Sequence, residues 1–321
     1  MTALVAALLL ASSPEPVVSH RRVVTEDGAS LALYRYLPPG GGGARAPVLL
    51  VGEIGFGRPL FDLHREGLAR WLAGRGYAVY VAELRGQGRA DPGASLRAWI
   101  HLDLPAIARV IASERGEPVD LVAHGWGGTL ALAAAGRELP VRRVVALATP
   151  VEAEVPSALA EAFLAEGGHF SDFAASPGGA WDFELLFAME TRFPPRTLAA
   201  LRALGTRDLS RGQSTEWLAW MRTGDLPLDD GTTVRRRLRE FDRPTLLFLA
   251  LGDGFAGPEL CAPLRGESKA DVRLRTFSRF ETGDDFSHVS LLLGAQAPSR
   301  VFTELEAFLR NDPIGGEGRA R

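Results

Sequence analysis

Among 321 residues there is one cysteine, Cys261, which excludes a disulfide framework. Six histidines scattered along the chain leave little material for a structural zinc site. Neither sign of charge dominates: 36 Lys and Arg stand against 39 Asp and Glu, for a net charge of -3. With no basic stripe either, the electrostatic footprint of a nucleic-acid binder is missing. Long apolar runs are missing too. The stretch 3–11 (ALVAALLLA) is too short to span a bilayer, and no later segment approaches the ~18 uninterrupted apolar residues of a membrane helix. No Lys or Arg precedes that stretch, as the start of a signal peptide requires. A cytoplasmic protein is therefore expected, with export as the alternative if residues 1–13 act as a signal. No internal repeat is visible. What the chain has in quantity is apolar residues, 46% of the total, enough for one large domain or two ordinary ones. A core of that size needs neither disulfide nor metal to hold it, and no cofactor is expected.

Two extended segments, 20–25 and 31–36, flank an Asp27-Gly28 turn signal. After the loop 37–43 (LPPGGGG), residues 47–51 (PVLLV) are continuously apolar, the mark of a strand buried on both faces. Residues 60–74 place Leu60, Phe61, His64, Leu68, Trp71 and Leu72 on one helical stripe, and 77–82 (YAVYVA) read as the next buried strand. A helix over 102–113, a strand over 119–123 (VDLVA), a helix over 127–136 and a strand over 143–147 (RVVAL) continue the alternation. Such alternation implies parallel βαβ units, hence an α/β fold whose mostly parallel central sheet carries helices on both faces. Across 151–240 the rhythm stops. That segment is helical or loop-like without a buried strand, and the rhythm resumes with strands at 245–251 and 272–277 and a helix at 300–310. The expected division is an N-terminal segment at 1–16, a core at 17–150 and 241–310, a helical cap at 151–240, and a disordered tail at 311–321. The cap carries Phe163, Phe170, Phe173, Trp181, Phe183, Phe187, Met189, Phe193, Trp217, Trp220 and Met221, material for its own core and for an apolar roof over the cleft below.

Ligands of open α/β sheets bind outside the carboxyl ends of the strands. Three such ends carry chemistry here. After 119–123 comes Ala123-His124-Gly125-Trp126-Gly127-Gly128, a sharp strand-to-helix turn with small residues where backbones must approach closely. After 245–251 comes Asp253 on a loop, and before the last helix comes His288 in Phe286-Ser287-His288-Val289. Elbow, acid, histidine is the chain order of the α/β-hydrolase triad.

The sequence resembles the α/β-hydrolase superfamily from about residue 20 to 310, within it lipase-like and polyhydroxyalkanoate-synthase-like members. The stretches that carry the resemblance are Ile54-Gly55-Phe56-Gly57, Glu83-Leu84-Arg85-Gly86-Gln87-Gly88, Leu121 to Gly128, and Phe286 to Val289 followed by Leu291-Leu292-Leu293-Gly294. It implies ester or thioester chemistry, with His288 as the base and Asp253 as the acid that orients it; Glu152, after the sixth strand, is the alternative acid. The implied oxyanion hole is the backbone amides of Trp126 and Phe56. One departure matters more than these matches. The family's elbow holds a Ser or Cys where this chain has Gly125, so the nucleophile position is vacant and no acyl-enzyme can form there. Glu53, beside the implied hole, would oppose an oxyanion. Cys261 lies beyond the acid loop and cannot substitute. Two readings follow: a non-catalytic family member that binds an apolar or acyl small molecule or a partner, or a hydrolase or lyase whose His288/Asp253 pair activates water or abstracts a proton. Arg85 and Asp103 read as structural, and Arg235-Arg236-Arg237 as a solvated helix face.

Overall fold

A computed structural model describes residues 15–41, 43, 45–87, 94–136, 139–154, 158–171, 195–283 and 286–311. The N-terminal apolar run, Gly88, the cap aromatics from Phe173 to Phe193, and all but Asn311 of the tail lie outside the described residues.

Eight strands form one sheet in the order β1-β2-β4-β3-β5-β6-β7-β8. They are β1 (Val17–Val24), β2 (Ser30–Leu37), β3 (Val48–Val51), β4 (Val79–Glu83), β5 (Val119–His124), β6 (Val141–Leu147), β7 (Thr245–Ala250) and β8 (Val272–Phe277). β1 and β2 form an antiparallel pair through the expected Asp27-Gly28 turn, and β2 pairs antiparallel with β4. All remaining pairs are parallel, with Leu50 opposite Val122 and Ala123 opposite Ala146 in the centre. Continuous apolar sequence has the expected consequence: every residue of β3, β4, β5 and β7 is buried. Alternation appears over the first half of β2, where Leu31 and Leu33 are buried between less buried neighbours.

The helix expected over 60–74 is broken. Pro59–Asp62 is α-helical, Leu63–Arg65 is a 3-10 turn, and helix resumes at Leu68–Ala73. Its apolar stripe is nevertheless buried at Leu60, Phe61, Leu68 and Leu72. The break has a local cause. At Gly67 the chain passes so close to the Phe61 carbonyl that any Cβ would overlap it, and His64 and Arg65 take left-handed φ values of 53° and 63°. The buried Asp62 carboxylate holds the corner together, accepting hydrogen bonds from Tyr36 Oη at 2.9 Å and Arg70 Nε at 2.8 Å.

Between β6 and β7 the described residues form helices Ala158–Ala165, Pro195–Ala200, Arg211–Thr223 and Val234–Glu240 and no strand. This insertion is tied to the core at several points. The Arg207 amide donates to the Gly55 carbonyl at 2.7 Å, Ser210 Oγ to the Ala94 carbonyl at 2.6 Å, and the Leu96 amide to Glu216 at 2.6 Å. A capping box between Ser210 and Gln213 starts the longest of its helices. Within the insertion, Phe163, Phe170, Trp217, Trp220 and Met221 are all buried.

The three consecutive arginines are not a solvated face. Arg237 is buried and pairs with Asp230 at 2.7 Å, Arg235 pairs with Glu152, and Arg236 alone is exposed. Val234 and Leu238 bury one side of that short helix and carry Arg237 inward with them. Arg85 and Asp103 are structural as expected. The Arg85 guanidinium bridges the fully buried Asp103 at 2.6 Å and the exposed Asp27 at 2.8 Å, joining the end of β4 to the β1–β2 turn.

Candidate functional site

The turn after β5 is built from small residues for a physical reason. Helix Gly125–Ala135 begins directly at the strand's end, and all eleven of its residues are buried. Gly127 faces the Gly52 carbonyl at a distance that leaves no room for a Cβ. Gly125 adopts φ +60°, which costs an L-residue ~1–2 kcal/mol. A sharp elbow under a buried helix requires both features, and this sequence meets them with glycine.

Three loops deliver side chains to this elbow. The loop after β7 supplies Asp253, whose Oδ1 accepts the amides of Phe255 and Ala256 at 2.9 and 2.8 Å, while Oδ2 lies 2.9 Å from His288 Nδ1. The loop after β3 supplies Glu53. Its Oε2 lies 2.9 Å from His288 Nε2 and accepts the Trp126 amide at 2.9 Å, while Oε1 accepts the Ile54 amide at 2.6 Å. His288 thus stands between two carboxylates, one on each ring nitrogen. The side chains of His288, Glu53 and Asp253 in this row are fully buried.

Burial alone would lower the His288 pKa, but the charge and hydrogen bond of Asp253, reinforced by Glu53, outweigh it and push the value up to about 9. The ring is an imidazolium at neutral pH. His124 behaves oppositely. Complete burial, then the positive charge of His288, hold its pKa well below the usual histidine range. Its Nε2 lies 2.9 Å from the His288 carbonyl, and its Nδ1 is buried without a hydrogen-bond partner among the described residues. The two imidazole rings stack obliquely with centroids 4.5 Å apart.

Aromatic rings close over the row. Phe255 meets His288 edge-on at 5.1 Å, Trp126 meets Trp220 at 4.9 Å and Trp217 at 6.4 Å, and Phe56 meets Phe170 at 5.9 Å. The indole nitrogens of Trp126 and Trp217 are buried without hydrogen-bond partners among the described residues.

A sequence profile of the alpha/beta hydrolase fold matches residues 39–288. The chain belongs to the α/β-hydrolase family. Among solved structures it is similar to an esterase from Exiguobacterium antarcticum, with a TM-score of 0.65 and 18% identity over 91% of this chain and 100% of that one. A hydrolase from Pseudomonas aeruginosa PA01 and a thermophilic esterase from Thermogutta terrifontis each give a TM-score of 0.64 at 18% identity, covering 91% of this chain and 98% of theirs. No curated protein matches the sequence.

On this α/β-hydrolase frame, the structure brings His288, Asp253, Gly125 and Trp126 together. It places the alternative acid, Glu152, on Arg235. The Phe56 amide turns back to the Glu53 carbonyl at 3.1 Å, closing the tight turn Glu53-Ile54-Gly55-Phe56, while Gln87 Nε2 donates to the same carbonyl at 3.1 Å. The amides that the Glu53 carboxylate collects are therefore those of Trp126 and Ile54. Sequence reasoning named Ile54 and Glu53 beside the hole but missed that the Glu53 side chain folds back onto the Ile54 amide and reaches His288, and that the His124 ring lies against His288. Cys261 is buried, its Sγ 3.3 Å from the Ala256 carbonyl, and burial holds the thiol well above the usual cysteine range. Among the described residues no helix is long and apolar enough to cross a membrane.

Proposed function

We propose that this α/β-hydrolase-fold protein, related to esterases and lipases, carries out no acyl transfer and serves to bind an apolar or acyl ligand. One observation carries the reading. The Glu53 carboxylate occupies the space beside Gly125, so that a Cβ at position 125 would overlap Glu53 Oε2 and lie 3.0 Å from His288 Nε2. The Glu53 oxygen that accepts the Trp126 amide and stands on His288 Nε2 therefore occupies the place where an attacking hydroxyl would give its proton to that nitrogen and a developing oxyanion would need that amide. Trp126, Trp217, Phe255 and Phe170, all buried beside the site, give it apolar surroundings that suit an apolar ligand.

The alternative, a His288/Asp253 pair activating water or abstracting a proton, needs a neutral His288 with a free Nε2. That nitrogen faces Glu53, and the ring is protonated at neutral pH, which counts against a general base.

The test is an esterase panel from short to long acyl chains, with a fluorophosphonate probe, on wild type, Gly125→Ser, His288→Ala and the pair Glu53→Ala/Gly125→Ser. The wild type is expected at background and unlabelled. Label is expected only in the double variant, where the hydroxyl has room. Wild-type turnover above background, or labelling of the wild type by the probe, overturns the reading, and that outcome needs no variant to fold well.

A further inference from the structure

We infer that Glu53, His124 and His288 form a binding site for one divalent transition-metal ion of the zinc, cobalt or nickel type. This goes beyond the proposed ligand-binding role and does not depend on it. The three residues come from three different elements, are fully buried, and offer ligand atoms that all lie within 4.8 Å of one another.

The outer ring nitrogens already have the partners that coordination calls for. A metal-binding histidine characteristically gives its other ring N–H to a carboxylate or a backbone carbonyl. His288 has Nδ1 on Asp253 at 2.9 Å, which leaves Nε2 as the ligand. His124 has Nε2 on the His288 carbonyl at 2.9 Å, which leaves Nδ1, and that nitrogen is a buried acceptor with nothing to accept. Such an orphan inside a fully buried cluster points to a missing partner.

Bonds of ~2.0–2.1 Å to each donor set the donors roughly 3.3 Å apart, so the widest separation must contract by up to about 1.5 Å. A Cβ at Gly125 would overlap Glu53 Oε2 and lie 3.0 Å from His288 Nε2, so only a glycine there lets these two donors stand side by side. Two imidazoles and one carboxylate favour zinc, cobalt or nickel over calcium or magnesium, which prefer all-oxygen sites.

The experiment titrates chelator-treated full-length protein with Co2+ and with Zn2+, reading stoichiometry, the visible bands of Co2+ and the melting temperature. One ion per chain is expected. Glu53→Gln and His124→Phe should each abolish the Co2+ bands, and Asp253→Asn should weaken binding by 10–100-fold through the lost orientation of His288. Replacing the exposed His20, His64 and His169 together by Asn should change nothing. Absence of tight binding to the wild type overturns the inference, as does loss of binding in the exposed-histidine variant. Should the buried variants not fold, X-ray absorption of the loaded wild type decides: two imidazoles and a carboxylate support the site, and any other donor set refutes it.

Discussion

Glu53 and Gly125 are 72 positions apart in the chain, yet their substitutions should be strongly coupled. Gly125→Ala places a methyl group where Glu53 Oε2 now sits, so the carboxylate must swing away from the Trp126 amide and from His288. Hydrogen bonds to charged groups contribute ~1.5–3 kcal/mol each, so losing these two costs about 3–6 kcal/mol. The left-handed φ of +60° adds ~1–2 kcal/mol for an alanine. The total rivals the whole stability of an ordinary domain, ~5–15 kcal/mol. In a Glu53→Ala background the overlap is gone and only the backbone strain remains. Although Glu53→Ala is itself destabilising, Gly125→Ala should therefore cost about 3–6 kcal/mol less in that background than in the wild type. Urea unfolding followed by tryptophan fluorescence, with the slope held constant across the four proteins, reads this coupling directly. If Gly125→Ala alone leaves no folded protein, recovery of soluble folded double variant is the same result in binary form. Equal costs in both backgrounds, within about 0.5 kcal/mol, refute the claim that the carboxylate fills the elbow.

Metal-free protein should lose stability as pH rises. The His288 pKa is raised from 6.5 to about 9, so its contribution is fully present below pH 6.5 and lost as pH climbs through 9, a change on the order of 3 kcal/mol that unfolding midpoints between pH 6 and pH 10 should show and His288→Gln should flatten. Arg85→Met strands the fully buried Asp103, whose carboxyl burial already pushes up, and should cost about 3–5 kcal/mol, whereas Asp27→Asn at the exposed end of the same bridge should cost under about 1 kcal/mol; thermal melts separate the two. Cys261 should resist maleimide in native buffer and react fully in urea, because its thiol is buried and held protonated; rapid native labelling would contradict the packing around it.

The parts of the fold most legible in sequence were those fixed by local physics. Continuous apolar runs at 47–51, 119–123 and 245–251 mark strands buried on both faces, and β3, β5 and β7 sit there within a residue of the expected ends. Small residues at 123–128 mark the elbow because strand and helix cannot otherwise approach. Less legible was whatever depended on contacts across the chain. The break at 63–67 is set by the Gly67–Phe61 approach and by Asp62 reaching Tyr36 and Arg70, none of which leaves a trace in periodicity. The arginine run reads as solvated because charge favours water, yet Arg237 turns inward to Asp230. At the site, Glu53 was visible as an acid at a strand end. Its bond to His288, 235 positions away, was not, since nothing local dictates which way a carboxylate turns.

On the proposed reading, the glycine at position 125 and the glutamate at position 53 are two halves of one physical arrangement. The fold converges two backbone amides, a helix start and an imidazolium on a single point, and that concentration of positive potential exists whether or not a substrate is present. With a serine at the elbow, a neutral hydroxyl waits there and charge arrives only during reaction. Without Glu53, the amides of Trp126 and Ile54 and the ring of His288 would be buried donors lacking that acceptor, at ~1–3 kcal/mol each. A glutamate from the adjoining loop satisfies all three donors and fits only because position 125 has no side chain. Substitution at 125 by anything larger than glycine is then closed to this chain while Glu53 remains, and substitution of Glu53 alone leaves the donors stranded. Stepwise return to a serine elbow must pass through one of those two destabilised intermediates. A selection for esterase activity that recovered Gly125→Ser as a single change, with Glu53 intact and the protein as stable as wild type, would show this account of the elbow to be wrong.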